Sequence, residues 1–199
     1  MKSLEDTASR PAVIALGANL PFQGHGPART LRRALAEFSA RGLGLGAVSR
    51  FYSTPCFPPG AGPDYVNAAA LITAGLPDDP ASILGLLHGI EAEFGRERLE
   101  RWGMRTLDLD LVALGESVLP DARTQDGWRA LPQEEQGRNA PDQPILPHPR
   151  LQDRAFVLVP MLDILPHWRH PRLGLDVGQM LAALPPEDRA AIRPLADGN

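Results

Sequence analysis

The sequence is poor in lysine and cysteine and has no long hydrophobic run. Among the 199 residues only Lys2 is a lysine, so nearly all of the basic side chains are arginines. A P-loop requires a lysine directly after its glycines, and the glycine cluster at 42–46 lacks the spacing of a dinucleotide-binding fingerprint. Both common glycine-rich phosphate cradles are therefore excluded.

The single cysteine, Cys56, excludes an internal disulfide and a zinc site built from several cysteines. No apolar run approaches the ~20 residues of a membrane-spanning helix. The N-terminus has acidic residues before its first apolar run, unlike a signal peptide. We therefore expect a cytoplasmic protein with no membrane partner. The net charge of −4 argues against a general nucleic-acid binder.

Hydrophobic periodicity predicts the order β-α-β-β-α-β. The predicted strands are 12–17, a segment near 45–54, 64–75 and 106–115, and the predicted helices are 27–42 and about 79–95. This order is typical of a ferredoxin-like α+β fold, with an antiparallel sheet and both helices on one face.

The remaining segments predict a less regular structure. Residues 116–147 are polar and proline-rich and predict a long loop, whereas 154–165 and 176–192 each predict a short helix. We expect one domain over 1–199, with a core at about 12–166 and a C-terminal helical extension at 167–199. The sequence does not determine the oligomeric state, although a monomer is favoured.

Two aspartates in the string RTLDLDL share one face of a predicted strand. Because side chains alternate along a strand, Asp108 and Asp110 point the same way, with Cα atoms roughly 6.6 Å apart, while the leucines point the other way. Two carboxylates this close repel each other unless positive charge lies between them. One interpretation is a magnesium site for phosphate chemistry. The alternative is a solvated strand face on which each aspartate pairs with an arginine.

Basic and aromatic residues favour the phosphate interpretation. The loop before the aspartates is rich in arginine, which a polyphosphate substrate requires, although an exposed loop balanced by glutamates has the same composition. Trp102 lies among these charges, where a core position is hard to explain. Tyr65 and Asn67 share a strand face and can stack on and hydrogen-bond a flat heterocycle, or can be an ordinary cross-strand pair. His148, held between two prolines, suits either a phosphate contact or a turn.

Seven strings together resemble the 6-hydroxymethyl-7,8-dihydropterin pyrophosphokinases of folate biosynthesis. They occur in the order of that family and cover most of residues 12–166. The strings are IALGANL (14–20), SRFYSTP (49–55), PDYVNAA (63–69), IEAEFGRER (90–98), ERWGMRTLDLDL (100–111), LPHPRL (146–151) and RAFVLVP (154–160).

The resemblance implies a ferredoxin-like fold and transfer of pyrophosphate from ATP to the hydroxymethyl group of the pterin, with release of AMP. It further implies a set of roles for residues of this chain. Two magnesium ions would be held by Asp108 and Asp110; the transferring group would be stabilised by Arg96 and Arg105; ATP would contact Glu91, Arg98, Trp102, His148 and Arg154; and the pterin would contact Thr54, Pro55, Tyr65, Asn67 and Phe156.

Two other functions remain open at this point. A metal-dependent phosphotransferase or phosphohydrolase acting on another planar substrate would need the same aspartates and arginines without a pterin pocket. A non-catalytic ferredoxin-like binding module would use the charges only for structure. The chain also departs from the family at Cys56 and Met104, where prolines are usual.

Overall fold

An antiparallel sheet forms the centre of the structure. The computed structural model describes residues 10–56, 60, 62–95, 105–132, 134–135 and 139–196. Its strands are β1 (Ala12–Ala18), β2 (Gly44–Val48), β3 (Tyr52–Thr54), β4 (Tyr65–Ala74), β5 (Asp108–Leu114) and β6 (Arg193–Pro194). They lie in the order β5-β1-β4-β3-β6, and β2 also pairs with β4. This is the ferredoxin-like arrangement that the element order predicts.

Two helices cover one face of this sheet, as predicted. Helix α1 (Pro27–Ala40) begins with proline at its first turn, and helix α2 (Pro80–Glu93) is capped by Asp79, whose carboxylate accepts a hydrogen bond from the Ser82 N–H. Their apolar stripes, which include Phe38 and Ile90, pack on the leucines of β1 and β5. This face is the main core.

In the described part of the chain, helices cover the other face of the sheet at one end. Helix α4 (Ala155–Ile164) and helix α5 (Val177–Ala183) pack there against Val13, Ala69 and Val112. Because β1 lies under helices on both sides, it is apolar at nearly every position, whereas the edge strand β5 alternates between partly exposed aspartates and buried leucines over its first four residues. Among the described residues, no helix of the second cluster packs over the end of this face that carries the start of β4 and β5.

Two predictions of secondary structure need correction. The predicted second strand is two strands, β2 and β3, separated at Ser49–Phe51, and the predicted loop at 116–147 contains helix α3 (Ala122–Ala130). Helix α3 has no apolar stripe, and only Gln125 is buried. Its stability comes instead from the Asp121 cap and from ion pairs of Asp126. Hydrophobic periodicity therefore carries no sign of it.

The C-terminal segment is also divided more finely than the sequence indicates. The region expected to form one helix contains α5 and a second short helix, α6 (Pro186–Ala190), with the chain extended at Leu184 and Pro185 between them. Strand β6 then pairs with β3 at the edge of the sheet. In the described part of the chain no helix combines the length and apolar character needed to cross a membrane.

His170 is fully buried where the C-terminal segment meets α3. Its Nδ1 accepts hydrogen bonds from the backbone N–H groups of Arg172 at 3.1 Å and Leu173 at 3.3 Å. Burial lowers the pKa of the imidazole to about 4, and the charge of Arg129 acts in the same direction. His170 is therefore neutral at pH 7, with its proton on Nε2.

This environment predicts an acid-sensitive fold. Because unfolded His170 takes up a proton near pH 6.5 and folded His170 does so only near pH 4, stability falls as pH drops between these values. The variant His170→Asn keeps an acceptor, because its amide oxygen can replace Nδ1. Between pH 7 and pH 5 we expect its free energy of unfolding to fall by about 2 kcal/mol less than that of the wild type. Urea unfolding at both pH values measures this difference. Equal losses in the two proteins would contradict it.

Candidate active site

The uncovered end of the second sheet face brings together three strands and the start of α4. The strand register pairs Gly17 of β1 with Asn67 of β4 on one side and with Asp108 of β5 on the other. A Cβ atom at position 17 would lie 3.0 Å from Asn67 Oδ1. Glycine therefore keeps the floor between the amide and the carboxylate free of a side chain.

Asp108 and Asp110 both point to this face, as the alternation predicts. They are partly exposed, whereas Leu109 and Leu111 are buried against the helices of the opposite face. An arginine pairs with each carboxylate. Arg105 Nη1 lies 2.5 Å from Asp108 Oδ2, and Arg154 Nη1 lies 3.2 Å from Asp110 Oδ2. The two arginines come from different segments, since Arg105 lies three residues before Asp108 whereas Arg154 lies 44 residues after Asp110.

The electrostatics of Arg105 reflect its position. Burial opposes its charge, but the Asp108 carboxylate outweighs that effect, and Asp110 adds to it, so the pKa of the guanidinium is raised. Arg105 therefore remains a fixed positive charge beside two carboxylates. An incoming anion at this point would meet a cation that is already held in place.

A second cationic group lies beside Asp110. His148, Arg150 and Arg154 form what we call the basic wall. Burial lowers the pKa of His148 well below 6.5, and the charges of Arg154 and Arg150 lower it further. His148 Nδ1 accepts a hydrogen bond from the Arg150 backbone N–H at 3.1 Å, so Nε2 carries the proton. The imidazole is thus a neutral donor within a positively charged wall suited to phosphate.

The predicted pterin-contacting residues of the sheet cluster next to the aspartates. Asn67 donates a hydrogen bond to Thr54 Oγ1 at 2.9 Å, which joins β4 to β3. Tyr65 lies at the start of β4, where burial raises the pKa of its phenol and the nearby Arg105 charge opposes that rise. Pro55 follows Thr54 and is exposed, whereas Cys56 is buried. These residues form a partly apolar surface beside the aspartates.

Phe156 on α4 is not a core residue, although its apolar sequence context favours the core by default. Its side chain is 37% exposed, and the Arg154 guanidinium lies 5.7 Å from its ring centroid. The ring is thus attached to the same segment that pairs with Asp110. An exposed phenylalanine at this place is available for stacking on a flat ligand.

Other predicted residues lie elsewhere or outside the described part of the chain. Glu91 is buried under the edge strand, where its Oε1 accepts a hydrogen bond from the Leu109 N–H at 2.7 Å. Arg96, Arg98 and Trp102 lie outside the described residues. The predicted ligand contacts of these four residues remain predictions.

Sequence reasoning missed three residues that the structure places at the site. They are Gly17 in its floor, Arg150 in the basic wall and Asn19 at the end of β1. Gly17 and Asn19 belong to the string IALGANL, and Arg150 belongs to LPHPRL. Only their membership of these strings could have identified them as site residues, because no periodicity or charge pattern distinguishes them.

The donor set suits a hard divalent cation that also binds phosphate. Among the described residues there is no cluster of three or more histidine, cysteine or acidic side chains, so a closed protein cage is absent from that part of the chain. Two adjacent carboxylates beside fixed arginines are the arrangement that Mg²⁺ accepts, because phosphate and water supply the remaining oxygen ligands. The residues present therefore fit magnesium bound together with a polyphosphate.

Comparison with known proteins points to one family. Residues 13–166 match the family model of 7,8-dihydro-6-hydroxymethylpterin-pyrophosphokinase (HPPK). A 2-amino-4-hydroxy-6-hydroxymethyldihydropteridine pyrophosphokinase of a Synechocystis strain is 35% identical over 189 residues, which cover 94% of this chain and 81% of the relative. A Pseudomonas aeruginosa protein of the same name is 35% identical, with 86% of this chain and 90% of the relative covered.

Solved structures agree on the fold. A crystal structure of HPPK-DHPS in complex with substrates matches with a TM-score of 0.60 and 11% identity over 88% of this chain. Plasmodium falciparum HPPK-DHPS matches with a TM-score of 0.61 and 14% identity over 90% of this chain. The chain spans less than half the length of those two, 43% and 42% respectively.

The neutral state of His148 can be tested directly. We expect its imidazole to take up a second proton only well below pH 6.5, and to carry its single proton on Nε2 at pH 7, because burial and two neighbouring arginines oppose a second proton. Long-range ¹H–¹⁵N NMR spectra report both properties, and His148→Asn identifies the resonances by their loss. Protonation of His148 near pH 6.5 would contradict this electrostatic picture.

Proposed function

The chain belongs to the 7,8-dihydro-6-hydroxymethylpterin-pyrophosphokinase family, and we propose that it carries out the family's reaction at the uncovered end of the sheet. The reaction transfers pyrophosphate from ATP to the hydroxymethyl group of 6-hydroxymethyl-7,8-dihydropterin and releases AMP, a step of folate biosynthesis. The observation that carries the assignment to this site is the pairing of Asp108 and Asp110 with arginines directly beside Tyr65, Asn67 and Phe156.

In this proposal Asp108 and Asp110 hold two magnesium ions. When bound, these ions neutralise the phosphate oxygens and favour ionisation of the attacking hydroxyl group. Arg105 lies on the same face and stabilises negative charge on the transferring group, a role it shares with Arg96. Arg105 and Arg154 each pair with one of these carboxylates. When the carboxylates hold metal, the two guanidinium groups would be available to pair with phosphate instead.

The nucleotide would lie along the basic wall. Arg154 and the neutral Nε2–H of His148 supply donors to phosphate or adenosine oxygens, and Arg150 adds a positive charge. Arg98, Trp102 and Glu91 complete the proposed ATP contacts by resemblance to the family.

The pterin would lie between the rings of Tyr65 and Phe156. Asn67 can bind the polar edge of the heterocycle, since its amide offers both a donor and an acceptor. The Thr54 hydroxyl and the backbone at Thr54 and Pro55 lie next to that amide and would bind the same edge. Orientation of the hydroxymethyl oxygen toward the phosphate then follows from the neighbouring positions of Asn67 and Asp108 across Gly17.

A phosphohydrolase acting on another planar substrate would use the same charged residues but would not need the Tyr65, Asn67 and Phe156 wall. The presence of that wall favours the pterin. A cytoplasmic location is part of the proposal, because the cytoplasm supplies ATP and because the free thiol of Cys56 suits a reducing compartment.

The proposed reaction predicts both the product and a requirement for the metal. With ATP, magnesium and the pterin alcohol, we expect AMP, and we expect none without the pterin. Asp108→Asn and Asp110→Asn should each lower turnover at least about 100-fold, because a neutral amide would hold magnesium poorly and the ions would no longer offset the charge of the transferring group. Chromatography of the nucleotides measures turnover, and calorimetry with a non-hydrolysable ATP analogue measures the magnesium requirement for binding.

Asp142→Asn, which changes an exposed carboxylate outside the site, is the control for both variants. ADP as the product would contradict the proposed reaction. Unchanged magnesium dependence in both aspartate variants would contradict the metal assignment while leaving the reaction intact.

The proposed pterin site predicts a role for Phe156 in pterin binding. We expect Phe156→Ala to raise KM for the pterin about 10-fold, which corresponds to about 1.4 kcal/mol of lost stacking, and to leave KM for ATP within about 2-fold. Leu162→Ala is a matched control, because Leu162 is 38% exposed on the same helix. Equal effects of the two variants on the pterin KM would show that Phe156 acts only through the stability of the helix.

A further inference from the structure

Asn19 is a buried amide at the end of β1 that joins two segments on the substrate side of the sheet. It is 2% exposed. Its Oδ1 accepts a hydrogen bond from the Arg105 backbone N–H at 2.8 Å, and its Nδ2 donates one to the Pro63 carbonyl at 3.2 Å. One side chain thus reaches across to residues 44 and 86 positions away.

The backbone around Asn19 strengthens the contact with Arg105. The N–H groups of Asn19 and Leu20 both donate to the Arg105 carbonyl, at 2.9 and 3.1 Å. Both polar groups of the Arg105 peptide backbone are therefore bound by this one corner of the chain. The Arg105 guanidinium pairs with Asp108. By fixing the Arg105 backbone, Asn19 and Leu20 therefore also fix the point from which this guanidinium reaches Asp108.

The contact with Pro63 acts on the other side of the site. Pro63 lies two residues before Tyr65, the first residue of β4. Holding the Pro63 carbonyl fixes the path by which the chain enters this strand, and with it the position of the Tyr65 ring. The charged half and the aromatic half of the site are thus both tied to the same amide.

We propose that Asn19 is a positioning residue for pyrophosphoryl transfer, which places Arg105 through its carbonyl oxygen and the Tyr65 side of the pterin pocket through its amide nitrogen. The inference rests on the proposed function. Asparagine suits this task because its side chain presents a donor and an acceptor on a short, stiff stem. Neither arm touches substrate, so Asn19 acts only through other residues.

The two arms can be separated by substitution. Asn19→Asp keeps an acceptor for the Arg105 N–H but places an oxygen against the Pro63 carbonyl, so we expect kcat within about 5-fold of wild type and a pterin KM about 10-fold higher. Asn19→Ala removes both arms, and we expect the same rise in KM together with a kcat about 10- to 100-fold lower, since small misplacements of reacting groups cost this much.

Ser49→Ala is a matched control for a purely structural effect. Ser49 is 6% exposed, and its hydroxyl likewise joins two segments, donating to the Arg50 carbonyl at 2.7 Å and accepting from the Ala69 N–H at 2.9 Å. We expect Ser49→Ala to lower the thermal midpoint about as much as Asn19→Ala, with kcat and KM within about 2-fold of wild type.

The results separate this inference from the function on which it rests. A wild-type protein that makes no AMP contradicts the proposed function. The contact with Pro63 can still be tested in that case, because fluorescence titrations without ATP compare the pterin affinities of Asn19→Asp and the wild type. Equal kinetic losses in Asn19→Ala and Ser49→Ala, or a kcat of Asn19→Asp as low as that of Asn19→Ala, would overturn the inference. Should Asn19→Ala not fold, Asn19→Asp decides alone through its kcat and pterin KM.

Discussion

The alternation of leucine and aspartate along β5 is the constraint on which the site depends. Leu109 and Leu111 are buried against the helices, so Asp108 and Asp110 must face the opposite side. A slip of one residue in the strand register would bury both carboxylates in the core, which makes the register strongly specified. Repulsion between the two carboxylates is relieved by arginines from two separate segments. The same arrangement is what a magnesium–polyphosphate complex requires.

Helix α4 is the second determinant, because it carries both a cation and an aromatic ring to the site. Arg154 ties its N-terminal end to β5 through Asp110. Near its C-terminal end, Asp163 accepts hydrogen bonds from the Arg50 guanidinium at 2.7 and 3.1 Å and from the Tyr52 hydroxyl at 2.8 Å. Polar ties at both ends, together with the apolar face of the helix, hold the partly exposed Phe156 over the sheet.

Local patterns predicted the elements that depend on hydrophobic burial, and they failed where other forces act. Helices α1 and α2 have apolar residues at the helical period because one side of each faces the core, and the start of β5 alternates for the same reason. Strands β1 and β4 are largely apolar because residues on both of their faces are buried. Helix α3 is held by a cap and by ion pairs of Asp126, so its sequence resembles a loop. The break between β2 and β3 arises where Arg50 turns to pair with Asp163 on α4, which is a contact over 113 positions.

The sequence by itself determined which residue types form the site and which of them share a strand face. Asp108 and Asp110 share one face of their strand, Tyr65 and Asn67 share one face of another, and arginines precede the aspartates in the chain. Those relations depend on spacing along one strand, which is a local property of the backbone. Only the tertiary structure decided that Gly17 separates Asn67 from Asp108 and that Asn19 holds Arg105. Such pairings depend on strand register and helix docking, and these are set by packing between distant segments.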